Sequence, residues 1–164
     1  MNETNQYLTF SLGEETYAIA VDHIREVLEV TRITKVPCMP PFFRGMINLR
    51  GSAIPILDLK SRFGCGDTEE TATTAIVVLE IPTDSAGGLL NVGILTDNVN
   101  NVITLDRTSI ERVPDFGLSV STEFLEGIGK IDSQFVMLLN ISRVFSDGEL
   151  ESIGQAAAAP VAEG

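Results

Sequence analysis

Few side chains in this sequence are of a type that makes or breaks bonds, and their spacing suits catalysis poorly. His23 is the only histidine, which excludes a metal cage of several imidazoles and any catalytic site that needs two of them. Cys38 and Cys65 lie far apart and belong to no CxxC pair, so they read as reduced structural or surface thiols. The carboxylate pairs Glu14/Glu15 and Glu69/Glu70 sit in turns and loops, where solvated charge is the ordinary explanation. "GIGK" (127–130) lacks the rest of a phosphate-binding loop, and neither GxxxxGK[ST] nor GxSxG occurs. Asp58 interrupts the apolar "ILDL" and reads as a polar strand position. Arg50 is the remaining anomaly, a full charge among Ile47, Leu49, Ile54, Ile56 and Leu57 in "RGMINLRGSAIPILDL" (44–59). A solvated turn residue and a paired charge presented to a partner both fit it. These residues point to binding, and no catalytic, cofactor-binding or metal-binding residue is expected.

The elements that would position Arg50 are short strands. Hydrophobic residues make up 44% of the 164 positions and charged residues 21%, with no tryptophan, so the core must be aliphatic and β-rich. "YLTFSL" (7–12), "GEE" and "TYAIAV" (16–21) form a hairpin. "VDHIREVLEV" (21–30) fits either a helix face or a strand face, with Asp22 placed to cap a single helical turn ahead of a strand. "PCMPP" (37–41) excludes continuous helix or a central strand. Further strands follow at "MINL", "AIPILDL", 74–81, 89–95, 101–105 and 134–141, with a helical turn at "KSRFG" and a hairpin loop at "TDSAGG" (83–88). Residues 147–164 are poor in large apolar side chains and are expected to be a disordered acidic, Ala-rich tail. Met39, Phe42, Phe43 and Phe116, beside prolines, are expected either as exposed anchors or as residues tucked under their own loops. The net charge of −12 argues against nucleic acid and anionic membranes. No stretch approaches a membrane span and the first residues carry no signal peptide, so a cytoplasmic location is expected.

The chain repeats itself. "YAIAVDHIREVLEV" (17–30) lies over "VGILTDNVNNVITL" (92–105), "ITKVP" (33–37) over "IERVP" (110–114), and "GMINLRGSAIPILDLKSRF" (45–63) over "GIGKIDSQFVMLLNISRVF" (127–145). Three gap-free matches in one order indicate two copies of a module, about 7–63 and 74–145 within a unit spanning 7–145. Each copy supplies about five short strands, which suits a small barrel. Strand exchange between the halves stays open. Positions apolar in both copies are core. Arg50 falls opposite Asp132 and Glu26 opposite Asn101, so the first half carries an acid and a base that barrel construction does not require. Gly45, Gly51 and Gly93 read as backbone requirements at turns or close strand approaches.

The strings "TFSLGEETYAIAVDHIREVLEV", "TRITKVPCMPPFFRGMINLRGSAIPILDLKSRFG" and "VGILTDNVNNVITL" closely resemble the CheW family of bacterial chemotaxis coupling proteins. The resemblance runs from about Tyr7 to Phe145 and is most specific over residues 42–59, F-x-R-G-x-x-N-L-R-G-x-x-I-P-I-x-D-L. It implies an all-β fold of two SH3-like five-stranded barrels with short helical turns, and resolves 21–30 as a turn followed by a strand. It also implies a non-enzymatic, cofactor-free adaptor. Such an adaptor links the cytoplasmic tips of methyl-accepting chemoreceptors to the regulatory domain of the histidine kinase CheA, in membrane-associated arrays. The chain's length resembles the stand-alone adaptor more than the kinase-fused or receiver-fused forms. A related possibility is coupling in a chemosensory-like pathway that controls surface motility or gene expression.

Carried over by position, the groove between barrels that receives the receptor's helical hairpin would include Ile24, Glu26, Val27, Asn48, Leu49 and Arg50. Asp115 and Phe116 of "VPDFG" would contact the kinase. Glu26 and Arg50 would then form an ion pair across neighbouring strands at the groove, fixing register and displaying polar groups to the receptor.

Overall fold

The computed structural model describes residues 4–82, 88–111, 122–131 and 133–158. The β-branched runs form β1 (Thr4–Leu12), β2 (Glu15–Ala20), β3 (Ile24–Glu29), β4 (Phe43–Leu49), β5 (Ser52–Asp58) and β6 (Ala75–Pro82). Beyond them lie β7 (Leu89–Thr96), β8 (Asn98–Asp106), β9 (Ile110–Glu111), β10 (Leu125–Ile131) and β11 (Gln134–Leu139). Three α-helices, α1 (Leu59–Arg62), α2 (Ile141–Val144) and α3 (Asp147–Ala158), and short 3-10 turns complete the described chain. A 3-10 turn at Val21–His23 precedes β3, as the family resemblance implied. Asp22 lies inside that turn and makes no cap; the capping position is Ala20. The expected loop at 83–88 lies outside the described residues except for Gly88.

Two sheets result, ordered β8-β1-β2-β11-β10-β9 and β3-β6-β7-β5-β4. The sequence repeat is visible in their registers. Leu138 pairs with Ala18 in parallel, and their repeat equivalents Ile56 and Gly93 pair in parallel. The β4–β5 hairpin shifts register between Phe43 and Gly45, and β10–β11 shifts at the matching Leu125 and Gly127. The first sheet has a sixth strand in β9, only two residues long. Its counterpart in the second sheet is a single bridge from Thr34 to Met46, with both backbone bonds at 2.8 Å. Thr34 follows β3 and Met46 lies on β4, so this bridge ties the segment after one edge strand to the other edge strand and closes the second barrel.

Strand exchange is complete. The β1–β2 hairpin of the first half sits with β8–β11, whereas β6 and β7 of the second half sit with β3–β5. The halves of the repeat are therefore units of sequence, and each barrel takes strands from both. Ile47, Ile54, Ile56, Ile76, Val78 and Leu95 fill the second barrel, and Tyr7, Ala18, Leu105, Val136 and Leu138 fill the first. The largest cluster lies between them, joining Phe10, Tyr17 and Ile19 of the first sheet to Val77, Leu79 and Ile94 of the second. Phe42 and Phe43 are 6% and 7% exposed and belong to this core. The tucked reading holds for them, and Met39 packs partly buried against the same cluster; Phe116 lies outside the described residues.

The expected disordered tail is corrected over 147–158, which form α3. Leu150 and Ile153, 4% and 0% exposed, enter the inter-barrel core. Two well-spaced apolar side chains compensate for an Ala-rich composition because they fall on one helix face.

Gly45 shows how tightly the closure is built. At φ 142°, a Cβ there would collide with the Thr34 carbonyl and lie 2.8 Å from the Ile33 side chain. Its equivalent Gly127 faces Ile110 and Glu111, the equivalents of Ile33 and Thr34. Gly45→Ala is expected to cost about 1–3 kcal/mol in urea unfolding, from backbone strain and a pried-open barrel seam.

Candidate functional site

The β4–β5 hairpin turns through Arg50 and Gly51, with Leu49 opposite Ser52. Both turn residues have positive φ, 51° and 88°, the pattern of a two-residue type I′ turn whose twist matches its strands. The Gly51 amide donates to Asn48 Oδ1 at 2.9 Å, fixing the turn. Leu49 packs against the second barrel's interior. Arg50 is therefore a turn residue and also a paired one.

Its partner is placed by an irregularity. The β3–β6 register shifts between Ile24 and Glu26, so Ile24 and Val27 lie opposite Leu79 and Val77, both in the inter-barrel core. Glu26 lies opposite Val78, on the barrel-interior side. Arg50 Nη1 donates to Glu26 Oε1 at 3.3 Å, and Nη2 pairs with Oε2. The expected contact between neighbouring strands is corrected here: β3 and the β4–β5 hairpin are opposite edges of the five-stranded order. The ion pair spans that gap, over one end of the second barrel. Arg50 remains 68% exposed and Glu26 26%, so the pair works as a presented surface group with little weight in stability.

The hydrogen bond from Arg50 holds the Glu26 carboxyl below its ordinary value of 4.5, and Glu26 raises Arg50 in turn. Because the folded value of Glu26 is depressed, the pair is fully formed above the ordinary carboxylate range and is lost as pH falls through the lower folded value. An NMR titration is expected to show the Glu26 midpoint rising toward 4.5 in Arg50→Ala.

The first barrel builds the same position differently. Asn101, equivalent to Glu26, is bound inside the β1–β8 pair. Its main-chain and side-chain oxygens lie 2.8 and 2.7 Å from the Thr9 hydroxyl, which receives the Asn101 amide at 3.1 Å. Asp132, opposite Arg50, lies outside the described residues, as do Asp115 and Phe116.

Apolar exposure accompanies the charged pair. Val27 is 44% exposed and its repeat equivalent Val102 is 52% exposed. Val102 faces the same way as Leu8, a residue of the inter-barrel core. Sequence reading placed Val27 at the site and passed over Val102, although the overlay of 17–30 on 92–105 aligns them.

Asp58 is a scaffold for this hairpin. Fully buried, it accepts from Arg44 at 3.0 Å, from the Thr68 amide at 2.8 Å and from the Thr68 hydroxyl at 2.7 Å. It also caps α1 through the amides of Lys60 and Ser61. Arg44 went unassigned in the sequence, yet its guanidinium also donates to the Thr68 carbonyl at 2.9 Å. The loop after α1 is thereby tied to the strands that carry Asn48 and Arg50.

The CheW-like domain family matches residues 6–149, nearly the whole described chain. The chain belongs to the CheW-like family. The chemotaxis protein CheW of Klebsiella aerogenes is 30% identical over 152 residues, covering 93% of this chain and 88% of that protein. CheW of Treponema pallidum is 29% identical over 159 residues, with the same coverage of 93% and 88%. The crystal structure of scaffolding protein TtCheW from Thermoanaerobacter tengcongensis aligns with TM-score 0.77 at 35% identity, over 90% of this chain and 91% of that one.

The site consists of one ion pair, an amide and a few aliphatic side chains. Among the described residues no three His, Cys, Asp or Glu side chains are placed to hold a metal. No helix among them is long and apolar enough to cross a membrane.

Proposed function

We propose that this chain is a non-enzymatic adaptor that couples methyl-accepting chemoreceptors to the histidine kinase CheA. The observation that carries this reading is the asymmetry of two otherwise matched barrels. Among the described residues only the second presents a carboxylate–guanidinium pair at its mouth, beside an exposed Val27, where the first ties its equivalent Asn101 to Thr9 in the β1–β8 strand pairing. Membership of the CheW-like family supports it. Ile24, Glu26, Val27, Asn48, Leu49 and Arg50 would meet the helical receptor tip: the aliphatics supply contact area, and the polar groups supply orientation and discrimination. Asp115 and Phe116 would meet the kinase. The adaptor would work in the cytoplasm at membrane-associated receptor arrays.

A second reading is coupling in a chemosensory-like pathway for surface motility or gene expression. A 22% identical relative over 154 residues, Protein FrzA of Myxococcus xanthus, shows that related chains carry names other than chemotaxis protein. Co-sedimentation tests the shared core of both readings. Receptor signalling fragments on vesicles should bring down this chain and carry CheA into the pellet only in its presence. A chain left in the supernatant would refute the adaptor role.

A further inference from the structure

Arg62, the last residue of α1, stands at the junction of the two barrels. Its guanidinium carbon lies 5.3, 5.4 and 5.8 Å from the ring centres of Phe42, Phe124 and Phe145. Its Nε donates to the Val144 carbonyl at 2.8 Å and its Nη1 to Glu149 Oε2 at 3.0 Å. The repeat makes sense of this cluster. Phe42 corresponds to Phe124, Phe63 to Phe145, and Arg62 to Val144. The rings pair crosswise, Phe42 with Phe145 at 5.4 Å and Phe63 with Phe124 at 5.5 Å. The junction is thus a local two-fold, and Arg62 is the point where it is broken. One copy supplies a cation, and the other supplies the carbonyl that receives it. Arg62 and Phe42 are attached to the second sheet, through β5 and β4. Phe124 and Val144 flank β10 and β11 of the first. One side chain therefore holds both barrels.

Glu149 ties that side chain to α3. Its Oε1 accepts the Ser146 amide at 2.7 Å while Ser146 Oγ accepts the Glu149 amide at 3.1 Å, a reciprocal cap that starts the helix. The other carboxylate oxygen is the one that holds Arg62. A 12-residue helix is marginal alone in water, so α3 depends on its anchors, and Glu149 on Arg62 is one of them. Neither the repeat nor barrel closure needs α3, which has no counterpart in the first half.

We propose that α3 is a strap whose docking, through Glu149 on Arg62, sets the angle between the two barrels. Undocking removes the carboxylate from Arg62 and withdraws Leu150 and Ile153 from the shared core. Ile24 packs against that same core and Val27 pairs in register with its Val77, so the strap also sets the spacing of the partner surface. This last consequence rests on the adaptor reading; the strap itself does not.

The test uses the full chain with Cys38→Ser and Cys65→Ser, spin-labelled at Leu89→Cys on the second sheet and Phe135→Cys on the first. Inter-label distances are measured by double electron–electron resonance. Glu149→Lys and Arg62→Met should each retain the strand signal in circular dichroism and give the same broadened, displaced distribution, with nothing added in the double variant. An unchanged distribution in folded Glu149→Lys overturns the strap. Should Arg62→Met fail to fold, the surface-side Glu149→Lys decides alone. Receptor-fragment affinity in Glu149→Lys is expected to fall about fivefold. A displaced distribution with unchanged affinity overturns the link to the partner surface. A parent protein that binds no receptor fragment counts against the adaptor reading and leaves the distance test in force.

Discussion

Asp58→Ala is expected to lower the stability of the fold by about 3–4 kcal/mol, a large share of the roughly 5–15 kcal/mol typical of a domain. The carboxylate is fully buried and meets Arg44, Thr68, and the first amides of α1. Removing it leaves a guanidinium that is only 25% exposed with the Thr68 carbonyl and the more exposed Glu70 as its partners, leaves the Thr68 amide and hydroxyl without their acceptor, and uncaps the helix. The bonds do not add, since they share one acceptor group, which keeps the expected loss near the cost of a single broken buried pair. The repeat provides the control. Asn140 occupies the equivalent position ahead of α2 and makes no side-chain cap, so Asn140→Ala should change stability by less than about 1 kcal/mol. Urea unfolding of the two variants side by side measures both. Equal losses would show that Asp58 is an ordinary polar position after all.

Arg50→Ala is expected to leave the unfolding midpoint nearly unchanged and to weaken receptor-fragment binding about tenfold or more, the scale of one central interface residue. The dissociation arises because Arg50 is mostly exposed and pairs with a carboxylate at the barrel mouth, outside the core. Glu26→Ala should weaken binding in the same direction, since it releases Arg50 from its position. The exchange Glu26→Arg with Arg50→Glu separates two roles. It should keep the fold and the bridge between sheet edges, yet fail to restore full binding, because the partner meets charges of reversed order. Isothermal titration against a receptor hairpin fragment, with melting curves in parallel, gives both readouts. Full binding by the exchanged pair would reduce Arg50 to a clasp between strands.

Much of this was legible in the sequence because the repeat separates what a barrel needs from what it does not. Alternating aliphatics placed β1, β2, β6, β7 and β11 to within a few residues, and the overlay singled out Glu26 and Arg50. Strand exchange was invisible for a physical reason. Each strand buries an aliphatic face equally well in either barrel, and only the connections at 21–23 and 97 decide which sheet it joins. The Glu26–Arg50 contact could be guessed as a pair but not as a link between opposite edges, since that depends on closure through Thr34 and Met46. Helix α3 was missed by weighing composition over pattern. "SDGELESI" holds Ser146 and Glu149 at the spacing of a reciprocal cap, followed by Leu150 and Ile153 one turn apart. Arg62 gave no signal, because a cation that reaches its partners across a domain junction looks in sequence like any surface charge; Arg44 lay in the signature string without a role, since its partners Asp58 and Thr68 follow it at no recognisable spacing.

The coupling proposed for this chain connects receptor state to kinase output. It is tested most directly by CheA autophosphorylation in a reconstituted mixture with vesicle-bound receptor signalling fragments. Adding this chain should raise the phosphorylation rate well above that of receptor and kinase without it, and the Arg50→Ala protein should fall short at matched concentration. A rate independent of this chain, with receptor and kinase each shown to be active, would contradict the account.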